Sequence, residues 1–304
     1  MKNIYDLVII GAGPAGITAG IYAGRKKINT LLLSKDFVGQ TGKAFLIENY
    51  PGFEQIEGAE LAARFKRHLE KFKIEIKEED AVELKKNKDF FEIKTKNFEY
   101  SAKGVIIASG AKPKFLGVPG EKEFVGRGIS YCTICDAPFF KDKTVAVAGS
   151  GNSGVEASLE LTKYAKKVYI LEFYSKLKAD EINQEKIKKN NKIETILSAQ
   201  IKEIKGEKFV KSIIYQDQNN KKLREIFLDG VFIQIGWIPS ADFAKGLVNF
   251  NEKNEIEINL LTNETKTPGL FAAGDVTCVP FKQMIIAAGE GAKAALSCYD
   301  YLKK

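Results

Sequence analysis

Twice along these 304 residues a run of apolar residues ends in a glycine-rich turn and continues at once as a helix of small residues. In the first instance Tyr5-Asp6-Leu7-Val8-Ile9-Ile10 leads into Gly11-Ala12-Gly13-Pro14-Ala15-Gly16, and Ile17-Thr18-Ala19-Gly20-Ile21-Tyr22-Ala23 follows. In the second, residues 143–148 lead into Gly149-Ser150-Gly151-Asn152-Ser153-Gly154 and then a helical segment at 155–161. Each helix is followed by another apolar strand, at 29–34 and at 167–171. This strand–loop–helix setting is what a dinucleotide fingerprint requires. The first glycine makes the turn, the second lets a pyrophosphate approach the backbone, and the third lets the helix lie on the strand. The start of the helix offers unpaired N–H groups to phosphate.

The chain is long enough for two domains with substantial cores. Its 44% hydrophobic and 28% charged residues are those of a globular protein. The predicted fold class is α/β, with two Rossmann-like dinucleotide-binding domains, the second inserted into the first. The boundaries fall at 1–115, 116–242 and 243–304, where the irregular run 112–120 and Trp237-Ile238-Pro239 serve as the two crossings. No apolar run approaches the roughly 20 residues of a membrane helix, and no membrane association is expected. Met1 to Asp6 lead straight into a strand without room for a signal peptide, so a cytoplasmic protein is expected. The net charge of +8 does not point to nucleic acid. The lysines are dispersed among glutamates, as in Lys71-Phe72-Lys73-Ile74-Glu75-Ile76-Lys77-Glu78-Glu79, and no recognition motif or basic arm is present. Such a surface attracts anionic dinucleotides and acidic partners instead.

Between the two loops lies Ser130-Tyr131-Cys132-Thr133-Ile134-Cys135-Asp136-Ala137-Pro138. Two cysteines two residues apart form a dithiol able to close on itself if the segment opens a helix, where the dipole also favours a thiolate. Asp136 stands where it can pass a proton to or from a thiol. A structural zinc site wants four ligands, and no second cysteine pair exists. Cys278 and Cys298 are isolated and are read as small core residues. The only histidine, His68, sits in a charged helical segment and is expected at the surface. Four cysteines are also too few for a secreted disulfide framework.

Further along, Glu172 closes the strand after the second loop, about 20 residues past its glycines, where a carboxylate can take both ribose hydroxyls of an adenosine and repel a 2′-phosphate. Phe173 and Tyr174 occupy positions where arginines would hold that phosphate, although Lys176 and Lys178 are near, so NADH is favoured over NADPH. The corresponding acid of the first loop is not evident, since Asp36 lies past Ser34-Lys35 and its role stays open. The turn-rich stretches Gly39-Gln40-Thr41-Gly42 and Glu48-Asn49-Tyr50-Pro51-Gly52 are long enough to suggest function. A buried strand is expected at 104–111 and a short one at 269–275. Amphipathic and closing helices are expected at 58–72 and 282–302, and further strands at 193–197, 201–205, 210–216 and 224–228.

Together with Leu171-Glu172-Phe173, Lys178-Ala179-Asp180, Gln234-Ile235-Gly236, Gly274-Asp275, Lys282-Gln283 and Gly289-Glu290-Gly291-Ala292-Lys293, these motifs span essentially the whole chain. As a set they resemble the low-molecular-weight thioredoxin reductase family, and within it the NADH-dependent flavoprotein component of alkyl hydroperoxide reductase. The resemblance implies FAD in the first domain, held by Gly11, Gly13, Pro14, Ala15, Gly16, Gly39, Gln40, Asn49, Gly110, Gly274, Asp275, Lys282 and Gln283. It implies NAD(P)H on Gly149, Gly151, Asn152, Ser153, Gly154, Glu172, Lys178 and Gly236. It also implies a homodimer, a rotating nicotinamide domain, Cys135 as the thiolate nearest the flavin, Cys132 as the attacking cysteine and Asp136 as acid/base.

Three features depart from the family pattern. Ala137 replaces the usual glycine, which leaves the local turn open. Phe173-Tyr174 replaces the arginine pair of NADPH-dependent members. The chain starts at the FAD strand, so the redoxin domain of the longer relatives is expected as a separate protein. The function this implies is an NADH-preferring disulfide reductase passing electrons through FAD and Cys132–Cys135 to a thioredoxin- or glutaredoxin-like partner, upstream of a peroxiredoxin in one version. The alternatives are a peroxide-forming NADH oxidase, a ferredoxin-fed flavin thioredoxin reductase and, last, a non-enzymatic redox-sensing module.

Overall fold

A computed structural model of the protein describes residues 4–37, 39–43, 46–47 and 49–304. Met1–Asn3, before the first strand, and Glu48, in the second turn-rich stretch, lie outside the described residues. The chain divides into two units, 1–112 with 238–304, and 113–237.

In the first unit the strands Glu75–Lys77, Thr30–Leu33, Ile4–Ile10 and Glu99–Ile107 lie side by side in that order, all parallel, and Leu270–Ala272 joins the far side of Glu99–Ile107. An antiparallel meander, Phe91–Lys94 and Glu83–Lys86, extends the sheet. Successive side chains of a strand point to opposite faces, and the two cores follow that alternation. Leu7, Ile9, Leu32 and Ile106 pack on one face with the helices Pro14–Arg25 and Met284–Leu302. Val8, Ile10, Leu31, Leu33, Val105 and Ile107 fill the other, against Ala241, Val248 and Ile256. Near-continuous apolar strands are what a sheet covered on both faces demands. The short strand Leu270–Ala272 is bounded by Gly269 and Gly274, both at positive φ (+83° and +82°). The closing helix starts two residues later than its composition suggests, because Gln283 is extended (φ −128°, ψ 148°) and caps it from outside. The amphipathic helix likewise ends at Glu70, ahead of Lys73 at φ +51°.

The second unit has a parallel sheet in the order Ile129–Ser130, Gly230–Ile233, Thr144–Ala148, Lys167–Leu171, Ile193–Ile196. The helix Asn152–Leu161 follows its glycine loop. A three-stranded antiparallel sheet, Ala199–Gly206, Val210–Asp217 and Leu223–Phe227, completes it, with 217–220 making the turn of its second hairpin. Among the described residues no helix is long and apolar enough to cross a membrane.

Candidate redox and nucleotide sites

In the first glycine loop, Gly11 adopts φ +109°, and a Cβ there would stand 2.3 Å from the Ala108 carbonyl oxygen. A Cβ on Gly16 would stand 1.8 Å from the carbonyl oxygen of Gly11. Gly13 is different: a Cβ there would meet nothing within 4 Å, so the space over the loop is open. Gly13 also caps the helix with no side-chain hydrogen bond, and Pro14 has no N–H to offer, which leaves the first-turn amides of Ala15 and Gly16 without an intrahelical partner. An open face lined by unpaired amides fits a pyrophosphate.

The other predicted residues of this unit converge in two pairs. Asn49 donates to Gln283 Oε1 at 3.2 Å, and Gln40 donates to the Ala111 carbonyl, beside Gly110 at φ +66°. Gly274 passes close to the loop, since its Cβ would lie 3.1 Å from the Ala15 methyl, and this brings Asp275 beside the same helix start. Burial pushes the Asp275 carboxyl up, with the Lys282 ammonium opposing. Lys282 itself pairs with Glu255 at 3.1 Å and donates to the Thr277 carbonyl. Gly39 sits at φ +49°, its N–H held by the Asp36 carboxylate at 2.7 Å. Asp36 is therefore turned to its own loop.

Two residues that sequence reasoning missed complete this site. Buried Ser34 accepts the Ala12 N–H at 3.1 Å and donates to the Asp36 carbonyl at 2.7 Å, tying the glycine loop to the end of the second strand. Buried Glu290 accepts the Gly274 N–H at 2.7 Å and lies 3.2 Å from the Thr277 hydroxyl, so it braces the Gly274-Asp275 turn. Burial pushes its carboxyl up as well. One signal could have found it: a lone carboxylate inside the small-residue run Ala287-Ala288-Gly289-Glu290-Gly291-Ala292.

The second loop repeats the first. Gly149 is at φ +104° with its missing Cβ 2.5 Å from the Gln234 carbonyl oxygen, and a Cβ on Gly154 would meet the Gly149 oxygen at 2.2 Å. Gly151 is open, and Ser153 is exposed on the first helical turn. Asn152 is stitched to Asp180, accepting its N–H at 2.8 Å and donating to its carboxylate at 3.0 Å. The Lys178 ammonium lies 3.4 Å above the Tyr174 ring. Gly236, at φ +105°, accepts the Lys114 N–H through its carbonyl at 2.9 Å. Glu172 is 5% exposed and already engaged. Its Oε2 accepts both the N–H (2.9 Å) and the hydroxyl of Ser150, and its Oε1 accepts the Tyr174 N–H at 3.0 Å. A carboxylate has about four acceptor positions, so these three bonds leave one position, on Oε1, for a ligand.

Cys132 and Cys135 form a disulfide, with their Cα atoms 5.4 Å apart. Cys132 caps the short helix Thr133–Asp136, its sulfur accepting the Cys135 N–H at 3.3 Å. Ser130 organises the segment: its hydroxyl donates to Asp136 Oδ2 at 2.6 Å and accepts the Cys132 N–H at 3.1 Å. Asp136 Oδ1 is buried with no hydrogen-bond partner. Ala137 is right-handed (φ −54°, ψ −39°) and 1% exposed, so the turn here needs no glycine. Buried Glu121 accepts the N–H groups of Leu116 and Gly117 and the Tyr131 hydroxyl, fixing the residue before Cys132 from behind. Gln234 lies 3.4 Å from both the Tyr131 carbonyl and the Thr133 hydroxyl.

Burial raises the Asp136 carboxyl above its ordinary 3.8, partly offset by the Ser130 hydrogen bond. A carboxyl whose folded pKa exceeds its unfolded one binds more protons in the native state, so its contribution to stability falls as pH rises from 3.8 through the raised value. Asp136→Asn escapes that loss. The melting temperature of the variant, relative to the parent, is expected to climb between acid and neutral pH in thermal unfolding; an offset constant with pH contradicts the assignment.

Two glycine-loop nucleotide units and a redox disulfide set before the second loop define a class: disulfide oxidoreductases that work with a flavin and a pyridine nucleotide. The sequence matches the pyridine nucleotide-disulphide oxidoreductase family over residues 5–292, and the chain belongs to that family, as a member of the thioredoxin reductase type. It is 41% identical to the alkyl hydroperoxide reductase F protein of Pseudomonas aeruginosa over 307 residues, covering 99% of this chain and 59% of that protein. The chain thus spans about three-fifths of the length of that relative. It is 41% identical over 305 residues to thioredoxin reductase of Bacillus subtilis, covering 100% of this chain and 96% of that one. The crystal structure of thioredoxin reductase from Streptococcus pyogenes MGAS5005 superposes with a TM-score of 0.92 at 36% identity, covering 100% of this chain and 99% of that one.

Proposed function

We propose that this protein is an NADH-preferring flavin disulfide reductase, taking electrons from NADH through FAD to Cys132–Cys135 and delivering them to a thioredoxin- or glutaredoxin-like protein. The observation that carries the reading is the Cys132–Cys135 disulfide opening a helix beside the buried, half-unpartnered carboxyl of Asp136. The open loop at Gly13, with Ala15 and Gly16 amides, fits the FAD pyrophosphate, while Asp275, Asn49 and Gln283 would hold the rest of the cofactor. Bound FAD supplies the conversion between a two-electron hydride donor and a disulfide.

The chain's own residues do the exchange. The Cys132 thiolate attacks one sulfur of the partner disulfide and expels the other as thiolate, forming a mixed disulfide. The Cys135 thiolate then attacks Cys132 Sγ, which re-forms the intrachain bond and releases the partner dithiol. Asp136 is the group beside the sulfurs able to hold or give the proton that a departing thiolate takes up. A thioredoxin-like redoxin is the acceptor, in a reducing compartment such as the cytoplasm, with a peroxiredoxin as one downstream consumer. The working form is a homodimer.

Coenzyme choice rests on Glu172 at the end of its strand and on Phe173-Tyr174 in place of a cationic pair, with Lys178 held over Tyr174. Stopped-flow reduction of the bound flavin is expected to be at least about tenfold faster with NADH than NADPH at equal subsaturating concentration. Glu172→Gln is expected to narrow that ratio by about tenfold, since a lost charge-assisted bond is worth about 1.5–3 kcal/mol. Equal rates in the parent enzyme remove the NADH reading.

A further inference from the structure

Ser150 occupies the variable position between the first two glycines of the second loop, a place to which the fingerprint assigns no role. Here it is fully buried (0% exposed) and joins three segments. Its hydroxyl and its N–H both donate to Glu172 Oε2. Its carbonyl oxygen accepts the Lys178 N–H at 3.1 Å, and its hydroxyl oxygen lies 3.3 Å from that same N–H. Tyr174 N–H takes one position on Oε1. Glu172 therefore cannot swing: one oxygen is saturated from the loop side, and the other keeps a single position for a ligand.

We propose that Ser150 is a specificity-determining positioning residue, which clamps Glu172 so that the adenosine ribose of the coenzyme is read through one hydroxyl hydrogen bond rather than two. This rests on the reading of Glu172 as the ribose carboxylate. Without the hydroxyl donor, Oε2 keeps only the Ser150 amide and Oε1 the Tyr174 N–H, and the carboxylate is held less firmly toward the ribose. The loss falls on the nucleotide bearing a free 2′-hydroxyl. A nucleotide carrying a 2′-phosphate never used the interaction and is little affected.

The test is calorimetric titration of the oxidised holoenzyme with NAD+ and NADP+, which cannot reduce the flavin. Ser150→Ala is expected to weaken NAD+ binding about tenfold, the loss of one hydrogen bond to a charged group, while NADP+ binding moves less than about twofold. NAD+ affinity unchanged, or both nucleotides weakened equally, overturns the proposal, the second outcome being that of a merely structural serine. A second arm needs no variant: with the parent enzyme, 2′-deoxyadenosine-NAD+ is expected to bind about tenfold more weakly than NAD+ and 3′-deoxyadenosine-NAD+ about equally, and the reverse pattern overturns the proposal. Equal losses from both analogues overturn the single-hydroxyl reading. Glu172→Gln separates the failures. If it leaves the NAD+/NADP+ ratio where it was, the ribose role of Glu172 falls, and this proposal with it. If it moves the ratio while Ser150→Ala does not, the clamp alone is wrong.

Discussion

Replacing Cys132 or Cys135 by serine is expected to bring reduction of a protein disulfide to background while bleaching of the flavin by NADH survives. The two halves separate because they use different chemistry. On the proposed function, reduction of the flavin draws on the two glycine loops, whose geometry depends on Gly11, Gly16, Gly149 and Gly154 and on no sulfur. Delivery to a partner needs both sulfurs: one to form the mixed disulfide and one to resolve it. With Cys135→Ser the attack by Cys132 can still occur but is not resolved, so a covalent complex with the redoxin should accumulate on non-reducing gels. With Cys132→Ser no such complex is expected to lead to release. Anaerobic titration with dithionite gives an independent reading, since the endpoint should fall from two electron pairs per chain to one in either variant. Full turnover in a single-cysteine variant, or an unchanged endpoint, removes the disulfide from the electron path.

Gly16→Ala carries the second large effect. The added methyl would stand 1.8 Å from the Gly11 carbonyl oxygen and 2.9 Å from its carbon, both backbone atoms of the turn itself. No rotamer change can relieve that overlap, so the turn must open, at a cost of about 3 kcal/mol or more. A loss of that size lowers the melting temperature of a domain this large by roughly 6–12 °C. It also scatters the first-turn amides, and the purified protein should be colourless. Gly13→Ala is the matched control. Its methyl meets no protein atom within 4 Å, so melting of the apoprotein should hardly change, yet the methyl occupies the space left for the pyrophosphate and FAD should still be lost. Absorbance near the flavin bands together with thermal unfolding decides between the two. A yellow Gly16→Ala protein with parental melting contradicts this account of the loop.

These effects are legible in the sequence because they arise from short-range backbone demands. A glycine between strand and helix is required where the carbonyl of the turn comes within 2.5 Å of its missing Cβ, as at Gly16 and Gly154, and such a demand leaves its mark in consecutive residues. The Cys132–Cys135 pair is equally local, with Cα atoms three positions apart held by one helical turn. Apolar runs such as Leu7-Val8-Ile9-Ile10 announce a sheet covered on both faces, and the alternation of its two cores bears that out. The boundary of the closing helix was less legible, because Gln283 reads as helix former yet is held extended beside Asn49.

What the amino-acid order determined by itself, then, is the pair of glycine loops, the dithiol with its carboxylate, and the α/β class, since each depends on neighbours within a few residues. What only the tertiary structure decided is how the polar side chains at these places are spent. Ser34 reaches Ala12, Ser130 reaches Asp136, Ser150 reaches Glu172, and Glu290 reaches Gly274. Serine and glutamate are ordinary surface residues by composition, and a hydroxyl becomes a clamp only when folding buries it against a specific acceptor and removes competing water. That burial is a property of packed segments far apart in the chain, which is why the hold of Ser150 and Tyr174 on Glu172 is not legible in the sequence.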